Sequence, residues 1–345
     1  MSVTARVARA LGILGVLAAL AAGLMAFALE RGWFELPLAE LIDRYQLPDS
    51  RFVDVDGVQV HYVDRGSGPP VVLLHASFLS LRSWDALSDA LDDRYRVIRL
   101  DLSAAGLTGP DRTLRYGIDR NVELVHGLLA RLGLTRVALV GTSSGGMTAF
   151  RYAARYPDQV SRLVLINSAG MPRTAATNPL RPPSSWLAGW VEARLRSRRF
   201  WAESLRDNFV PPHQPSADLV TMTYDMNRRA GSRETNALYL ANFRTGDPQA
   251  MLGQVRAPTL VLWGLDNRTL MHLEADVFAH WLTGAPSLVR KYSGLGHYPY
   301  LEDPALLARD IGDFLSHALD ADLRPATCAV SIGADSQQKQ QETTP

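Results

Sequence analysis

Val137-Ala138-Leu139-Val140-Gly141-Thr142-Ser143-Ser144-Gly145-Gly146 runs from an apolar segment into a glycine-rich turn. Its first residues are continuously apolar, as a short strand is when helices cover both faces of its sheet. Gly-Thr-Ser-Ser-Gly then fits the pattern G-x-S-x-G, in which glycines allow a turn too sharp for side chains. The serine is thereby pushed out above the sheet edge. A helical stretch, Gly145 to Tyr156, follows at once. Ser144 opens that helix, so its N–H points where an oxyanion would form, and the helix N-terminus adds partial positive charge there. The reading makes Ser143 a nucleophile.

Working outward, the same beat recurs. Arg51 to Val55, the pair Asp56-Gly57, and Val58 to Asp64 predict a β-hairpin, because Asp-Gly tolerates the positive φ of a tight turn. Short apolar runs follow at Val71 to Leu74, Arg96 to Leu100, Leu163 to Ile166, Thr259 to Trp263 and Leu288 to Tyr292. Helical stretches alternate with them: Trp84 to Leu91, Asp119 to Leu132, His272 to Leu282 and Pro304 to Leu319. The expectation is an α/β fold, a mostly parallel twisted sheet with helices on both faces. From Met171 to Arg256 the beat breaks into Pro-rich turns and helical patches, which reads as a helical lid inserted between two strands. The predicted division is core 51–170, lid 171–256, core 257–320 and a polar, disordered tail 321–345.

Composition sets limits. The chain has 345 residues, 47% apolar and 21% charged, which excludes wholesale disorder. Its net charge of +1 gives no electrostatic footprint for nucleic acid. The single cysteine, Cys328, allows neither an intrachain disulfide nor a cysteine-based metal cluster.

Arg6 and Arg9 precede an uncharged apolar run, Ala10 to Leu29, closed by Glu30-Arg31. Such a run spans roughly 30 Å as a helix, the hydrocarbon thickness of a bilayer. Residues 1–31 therefore read as a transmembrane anchor, with the arginines holding the N-terminus in the cytoplasm and the rest outside. Ala26-Phe27-Ala28 also fits a cleavage site, so a secretory signal and a secreted or periplasmic protein is the rival reading. Residues 30–50 read as a juxtamembrane linker.

With these motifs in place, the chain resembles the α/β-hydrolase family, in its lid-bearing serine esterase/lipase and C–C bond hydrolase branch. The resemblance extends from Arg51 to Leu319. Leu73-Leu74-His75-Ala76-Ser77 resembles the loop whose backbone completes the oxyanion hole, which implies that the N–H of Ser77 joins that of Ser144. Ala76 stands where the family usually has Gly, and would be strained if that position needs positive φ. Asp101 to Gly106 resembles the loop after the next strand, with fewer glycines. Gly294-Leu295-Gly296-His297-Tyr298-Pro299 resembles the loop of the catalytic histidine and implies His297 as general base.

The third member departs from the pattern. In Trp263-Gly264-Leu265-Asp266-Asn267-Arg268 the acid position falls on Asn267, with Asp266 one residue early. The family's other acid position falls near Asn167. Three readings stay open: Asp266 serves as the acid, Asn267 orients His297 as an amide, or the site is crippled. Replacing the triad Asp by Asn in a serine protease lowers kcat by roughly 10⁴, because an amide cannot neutralise the imidazolium.

The function implied is hydrolysis of carboxylic esters through an acyl-enzyme on Ser143, with a small-molecule ester as substrate and no cofactor or metal. The alternatives are cleavage of a carbon–carbon bond beside a ketone, and a non-catalytic binding protein. In the lid, Trp186, Trp190, Phe200 and Trp201 either line an acyl pocket or pack the lid. Arg194, Arg196, Arg198 and Arg199 either face solvent or a membrane.

Overall fold

The pair Asp56-Gly57 sets the first edge of the sheet. Both residues take positive φ, 49° and 79°, as the tightest hairpin turn requires. They join β1 (Arg51–Val55) to β2 (Val58–Arg65), with Val55 opposite Val58. The structure is a computed structural model and describes residues 3–172 and 196–316. The tail 321–345, and Trp186, Trp190 and Arg194, lie outside the described residues.

The remaining strands are β3 (Pro70–Leu74), β4 (Arg96–Leu100), β5 (Val137–Ser143), β6 (Val160–Ser168), β7 (Thr259–Gly264) and β8 (Ser287–Tyr292). They form one sheet of eight strands in the order β1-β2-β4-β3-β5-β6-β7-β8. The β1–β2 and β2–β4 pairs are antiparallel and every later pair is parallel. The strand order reverses at β3, between β4 and β5. In an open α/β sheet the crevice at that reversal, beyond the strands' C-terminal ends, is where ligands bind. The serine turn after β5 and the loop after β3 that carries Ser77 both open there.

Alternation along β3 shows the two layers. Val72 and Leu74 pack with Val125, Leu128, Phe150 and Phe278 from helices Ile118–Arg131, Ser144–Arg155 and Glu274–Trp281. Val71 and Leu73 face Leu87, Leu307, Ile311 and Phe314 from helices Asp85–Asp89 and Pro304–Ser316. The expected helix Trp84 to Leu91 is instead a 3₁₀ turn, Leu81–Trp84, followed by the short helix Asp85–Asp89. Leu81 and Trp84 are both fully buried, and the tighter turn, with three residues per turn, sets one directly above the other.

Residues 30–50 are more than a linker. Leu36 exchanges backbone hydrogen bonds with Arg228 and Ala230, and helix Leu38–Tyr45 follows. Leu41 is fully buried, and Tyr45 Oη donates to Asp225 at 2.7 Å. The signal was present in the sequence, as Leu38, Leu41, Ile42 and Tyr45 recur at helical spacing after Pro37. Ahead of this segment runs one helix, Val3–Glu30. Its stretch Arg9–Glu30 is long and apolar enough to cross a membrane by length and composition. Leu11, Leu14, Leu17 and Leu20 are exposed along it, whereas Ala28 and Leu29 are buried where the helix meets the rest of the protein. Between β6 and β7 the described residues form helices Arg198–Arg206, Ala217–Met226, Ser232–Ala241 and Pro248–Gly253.

Candidate active site

Ser143 sits at the end of β5 with φ 50° and ψ −120°, a conformation rare for any residue with a side chain. Close packing forces it. A Cβ on Gly145 would come within 2.1 Å of the Leu74 carbonyl oxygen, and one on Gly141 within 2.4 Å of the Gly145 oxygen. A Cβ on Gly146 would meet Ser168 Oγ at 2.5 Å. The strand, turn and helix close on each other too tightly for any residue but glycine at these points. Ser143 is left half-buried at the crevice, while Thr142 and Ser144 are buried on either side.

From β3, the chain passes through His75, Ala76 and Ser77. Ser77 Oγ donates to Ser144 Oγ at 2.9 Å, so the two residues expected to supply the oxyanion hole adjoin each other. Tyr239 brings its hydroxyl within 3.4 Å of Ser77 Oγ. Burial pushes the Tyr239 hydroxyl's pKa up, so it stays a neutral donor. Nothing in the sequence marked Tyr239, which arrives from a helix far along the chain. The positive φ in this loop falls on Phe78 at 67° and not on Ala76, so the strain expected at Ala76 lies two residues later. His75 is structural. Its Nδ1 lies 2.7 Å from the Ala76 carbonyl and its Nε2 accepts from the Leu102 N–H at 2.9 Å. Burial lowers its pKa and keeps it neutral.

The loop after β4 is held by Asp101, whose carboxylate accepts from the N–H groups of Leu81 and Leu107. His61 Nδ1 lies 2.7 Å from the same carboxylate, and His61 Nε2 lies 2.8 Å from Ser50 Oγ. With a glycine missing, Ala104 takes the left-handed conformation in this loop at φ 65°. A cavity of about 20 Å³, room for one water, is bounded here by Ser77, Ser144, Tyr239 and Asn121. The Asn121 Nδ2 has no hydrogen-bond partner among the described residues.

The loop after β8 carries His297, which is buried. Asn167 Nδ2 donates to the Gly296 and His297 carbonyls at 2.8 and 2.9 Å, and its Oδ1 accepts from the Gly264 N–H at 3.0 Å. Glu302 Oε2 accepts from the Gly296 N–H at 2.7 Å, and its Oε1 from the Val210 N–H at 2.6 Å. Burial raises the Glu302 pKa against these two bonds. Asn167 thus holds the backbone of the histidine loop and does not face the ring as an acid would. Ser143 and His297 meet the same strand end: the Ala169 N–H donates to the Ser143 carbonyl, and Asn167 to that of His297.

Of the two candidates for supporting His297, the structure brings Asn267 to the ring. Asn267 Oδ1 lies 3.2 Å from His297 Nδ1. Asp266 is engaged elsewhere: its Oδ2 accepts from the Gly294 N–H at 2.7 Å on the exposed side of the turn. The cause is the local turn, in which Asn267 Oδ1 also accepts from the N–H groups of Thr269 and Leu270, drawing that side chain inward. Among the described residues, no group of three or more His, Cys, Asp or Glu converges as metal ligands would.

Comparison with known proteins agrees with this architecture. A 2-hydroxy-6-oxo-2,4-heptadienoate hydrolase of Pseudomonas putida is 28% identical over 275 residues, 77% of this chain and 96% of that protein. The solved structure of a membrane phospholipase A, described as a bacterial virulence factor, is 28% identical. It superimposes with a TM-score of 0.66 and covers 89% of this chain and 97% of its own. A serine hydrolase of carbazole degradation, 23% identical and covering 77% of this chain and 98% of its own, shares the fold with a TM-score of 0.67. The family model described as the alpha/beta hydrolase fold matches residues 69–304. The chain belongs to the α/β-hydrolase family.

Proposed function

We propose that the chain is a membrane-anchored serine hydrolase that cleaves carboxylic esters of amphiphilic substrates, its catalytic part lying outside the cytoplasm. His297 takes the proton of Ser143, and Ser143 attacks the ester carbonyl. The N–H groups of Ser77 and Ser144 hold the oxyanion, each such donor contributing about 10²–10³ in rate. Water activated by His297 then releases the acyl group. Residues 171–256 act as the lid, which sets substrate choice. The observation that carries the catalytic part is the strained turn of Ser143 beside the adjoining Ser77 and Ser144. The anchor is supported by Ala28 and Leu29, helix residues buried where the helix meets the rest of the protein. A segment so built in favours a retained anchor over a cleaved signal. The solved structure of the membrane phospholipase, which covers 89% of this chain against 77% for that of the carbazole-degradation hydrolase, supports the anchor.

A second reading is favoured by the curated relatives, among them the heptadienoate hydrolase and a 2-hydroxymuconate semialdehyde hydrolase of a Pseudomonas species. A 2-hydroxy-6-oxo-dienoate has no ester, so its hydrolysis cleaves a carbon–carbon bond beside the ketone. A panel of fatty-acyl esters beside 2-hydroxy-6-oxo-dienoates separates the two. Turnover of esters, abolished by Ser143→Ala, supports the proposal; turnover of dienoates alone refutes it in favour of the second reading. The third reading, a binding protein without catalysis, rests on Asn267 and fails if either substrate is turned over by Ser143.

A further inference from the structure

A cleft of about 640 Å³ lies where the N-terminal helix meets the helices between β6 and β7. Leu29, Phe34, Trp201 and Leu240 supply apolar wall. Arg196, Arg228, Arg229 and Arg233 also line it, against Glu35 as the one carboxylate among the described lining residues. That carboxylate is engaged by the Gly231 N–H at 3.0 Å.

Arg228 and Arg229 are incompletely balanced by carboxylates. Asp225 lies 3.5 Å from Arg228 but also serves Arg44 at 3.1 Å and the Tyr45 hydroxyl at 2.7 Å. Arg228 Nε has no hydrogen-bond partner among the described residues. Arg229 is buried and spends Nη1 on the carbonyls of Gly106 and Thr108. Arg233 pairs with Glu234 at 2.6 Å and reaches Glu30 at 3.8 Å. The ligand that matches such a cleft carries apolar chains and an anionic head, and arginine's planar fork fits a phosphate with paired hydrogen bonds. Asn236 lines both this cleft and the small cavity beside Ser77 and Ser144, so the cleft leads toward the oxyanion loop.

We propose that this cleft binds the anionic phosphate headgroup of a membrane lipid and presents its acyl ester past Asn236 to Ser143. The inference rests on the reading of the helix as an anchor and of the site as an esterase, and it names the substrate class. Position supports it, because the cleft begins at Leu29, where the bilayer-length helix ends.

The test is calorimetric titration of the full Ser143→Ala chain in non-ionic detergent, against micelles without protein. The probes are dihexanoyl phosphatidylglycerol, dihexanoyl phosphatidylcholine and inorganic phosphate. The anionic lipid is expected to bind about tenfold more tightly than the zwitterionic one, which offers the same phosphate but brings a choline cation against the arginines. Free phosphate, lacking chains for the apolar wall, is expected to bind neither tightly nor in competition. Arg228→Gln with Arg233→Gln should erase the preference and Arg233→Gln alone should reduce it. Arg199→Gln, on an exposed residue away from the cleft, should keep it. Equal binding of the two lipids, a preference surviving the double substitution, or phosphate competing as well as lipid overturns the proposal. Because Ser143→Ala cannot turn over, these outcomes are independent of whether Ser143 cleaves esters.

Discussion

Asn267 Oδ1 lies 3.2 Å from His297 Nδ1, while Nδ2 of the same amide is buried without a hydrogen-bond partner among the described residues. One oxygen therefore serves the ring and the N–H groups of Thr269 and Leu270, and the other arm of the side chain is idle. A carboxylate would use both arms as acceptors and would neutralise an imidazolium. The amide does neither, and if it turned its NH₂ to the ring it would favour the tautomer that cannot take a proton from serine. Asn267→Asp is expected to raise kcat, by more than tenfold and with a ceiling of about 10⁴. Asp266→Asn, at the surface, should change kcat less than about threefold. Steady-state rates of the two variants check this; a large loss in Asp266→Asn with no gain in Asn267→Asp would show that Asp266 is the acid.

Asn167 holds the histidine loop by donating to two carbonyls and accepting from Gly264. Asn167→Asp replaces the two donors by an acceptor facing two carbonyl oxygens, at a cost of roughly 2–4 kcal/mol. It is expected to lower both stability and kcat despite placing a carboxylate at the family's other acid position. Denaturant unfolding beside kinetics decides; a stable variant with raised activity would mean that the side chain turns to the ring.

The serine turn leaves no room at Gly145, where a Cβ would meet the Leu74 oxygen at 2.1 Å. Backbone oxygen cannot yield as a flexible side chain does, so Gly145→Ala is expected to prevent accumulation of folded protein. Gly57→Ala, in open space at the hairpin, should cost only about 1–2 kcal/mol through its positive φ. Soluble yield and circular dichroism compare them, and equal behaviour of the two would contradict the packing argument.

Asp101 gives a pH dependence. Burial works to raise its pKa, but the hydrogen bond and charge of His61 and the Leu107 N–H outweigh burial and hold it below the ordinary range. A depressed folded value stabilises the protein above the unfolded value, about 3.9, and this is lost as pH falls through the folded one. Wild-type unfolding free energy should therefore decline below about pH 5. Asp101→Asn should cost about 1–3 kcal/mol at pH 7 and flatten that decline. Urea titrations from pH 3 to pH 7 would contradict this if the two proteins ran parallel.

Strands and hinges were legible because their signals are local. Asp56-Gly57 dictates its turn, the apolar run before Gly141 its strand, and the glycines around Ser143 and His297 their loops. What stayed hidden depends on partners distant in sequence. Tyr239 reaches Ser77 from 162 residues away, and Asn167 braces a loop 130 residues on. The choice between Asp266 and Asn267 depends on which way one turn faces, a matter of one residue that spacing alone leaves open. In segment 30–50 the helical spacing is local, but its docking depends on Asp225 and Arg229, about 180 and 190 residues away.

The central claim is that Ser143 is an activated nucleophile. Its most direct test is labelling of the purified full chain by a fluorophosphonate, with Ser143→Ala as control, because the reagent reacts with a serine already activated by its base and oxyanion donors. Labelling of the wild type is expected, lost in Ser143→Ala and faster in Asn267→Asp. A folded protein that is not labelled, or labelling that survives in Ser143→Ala, would contradict it.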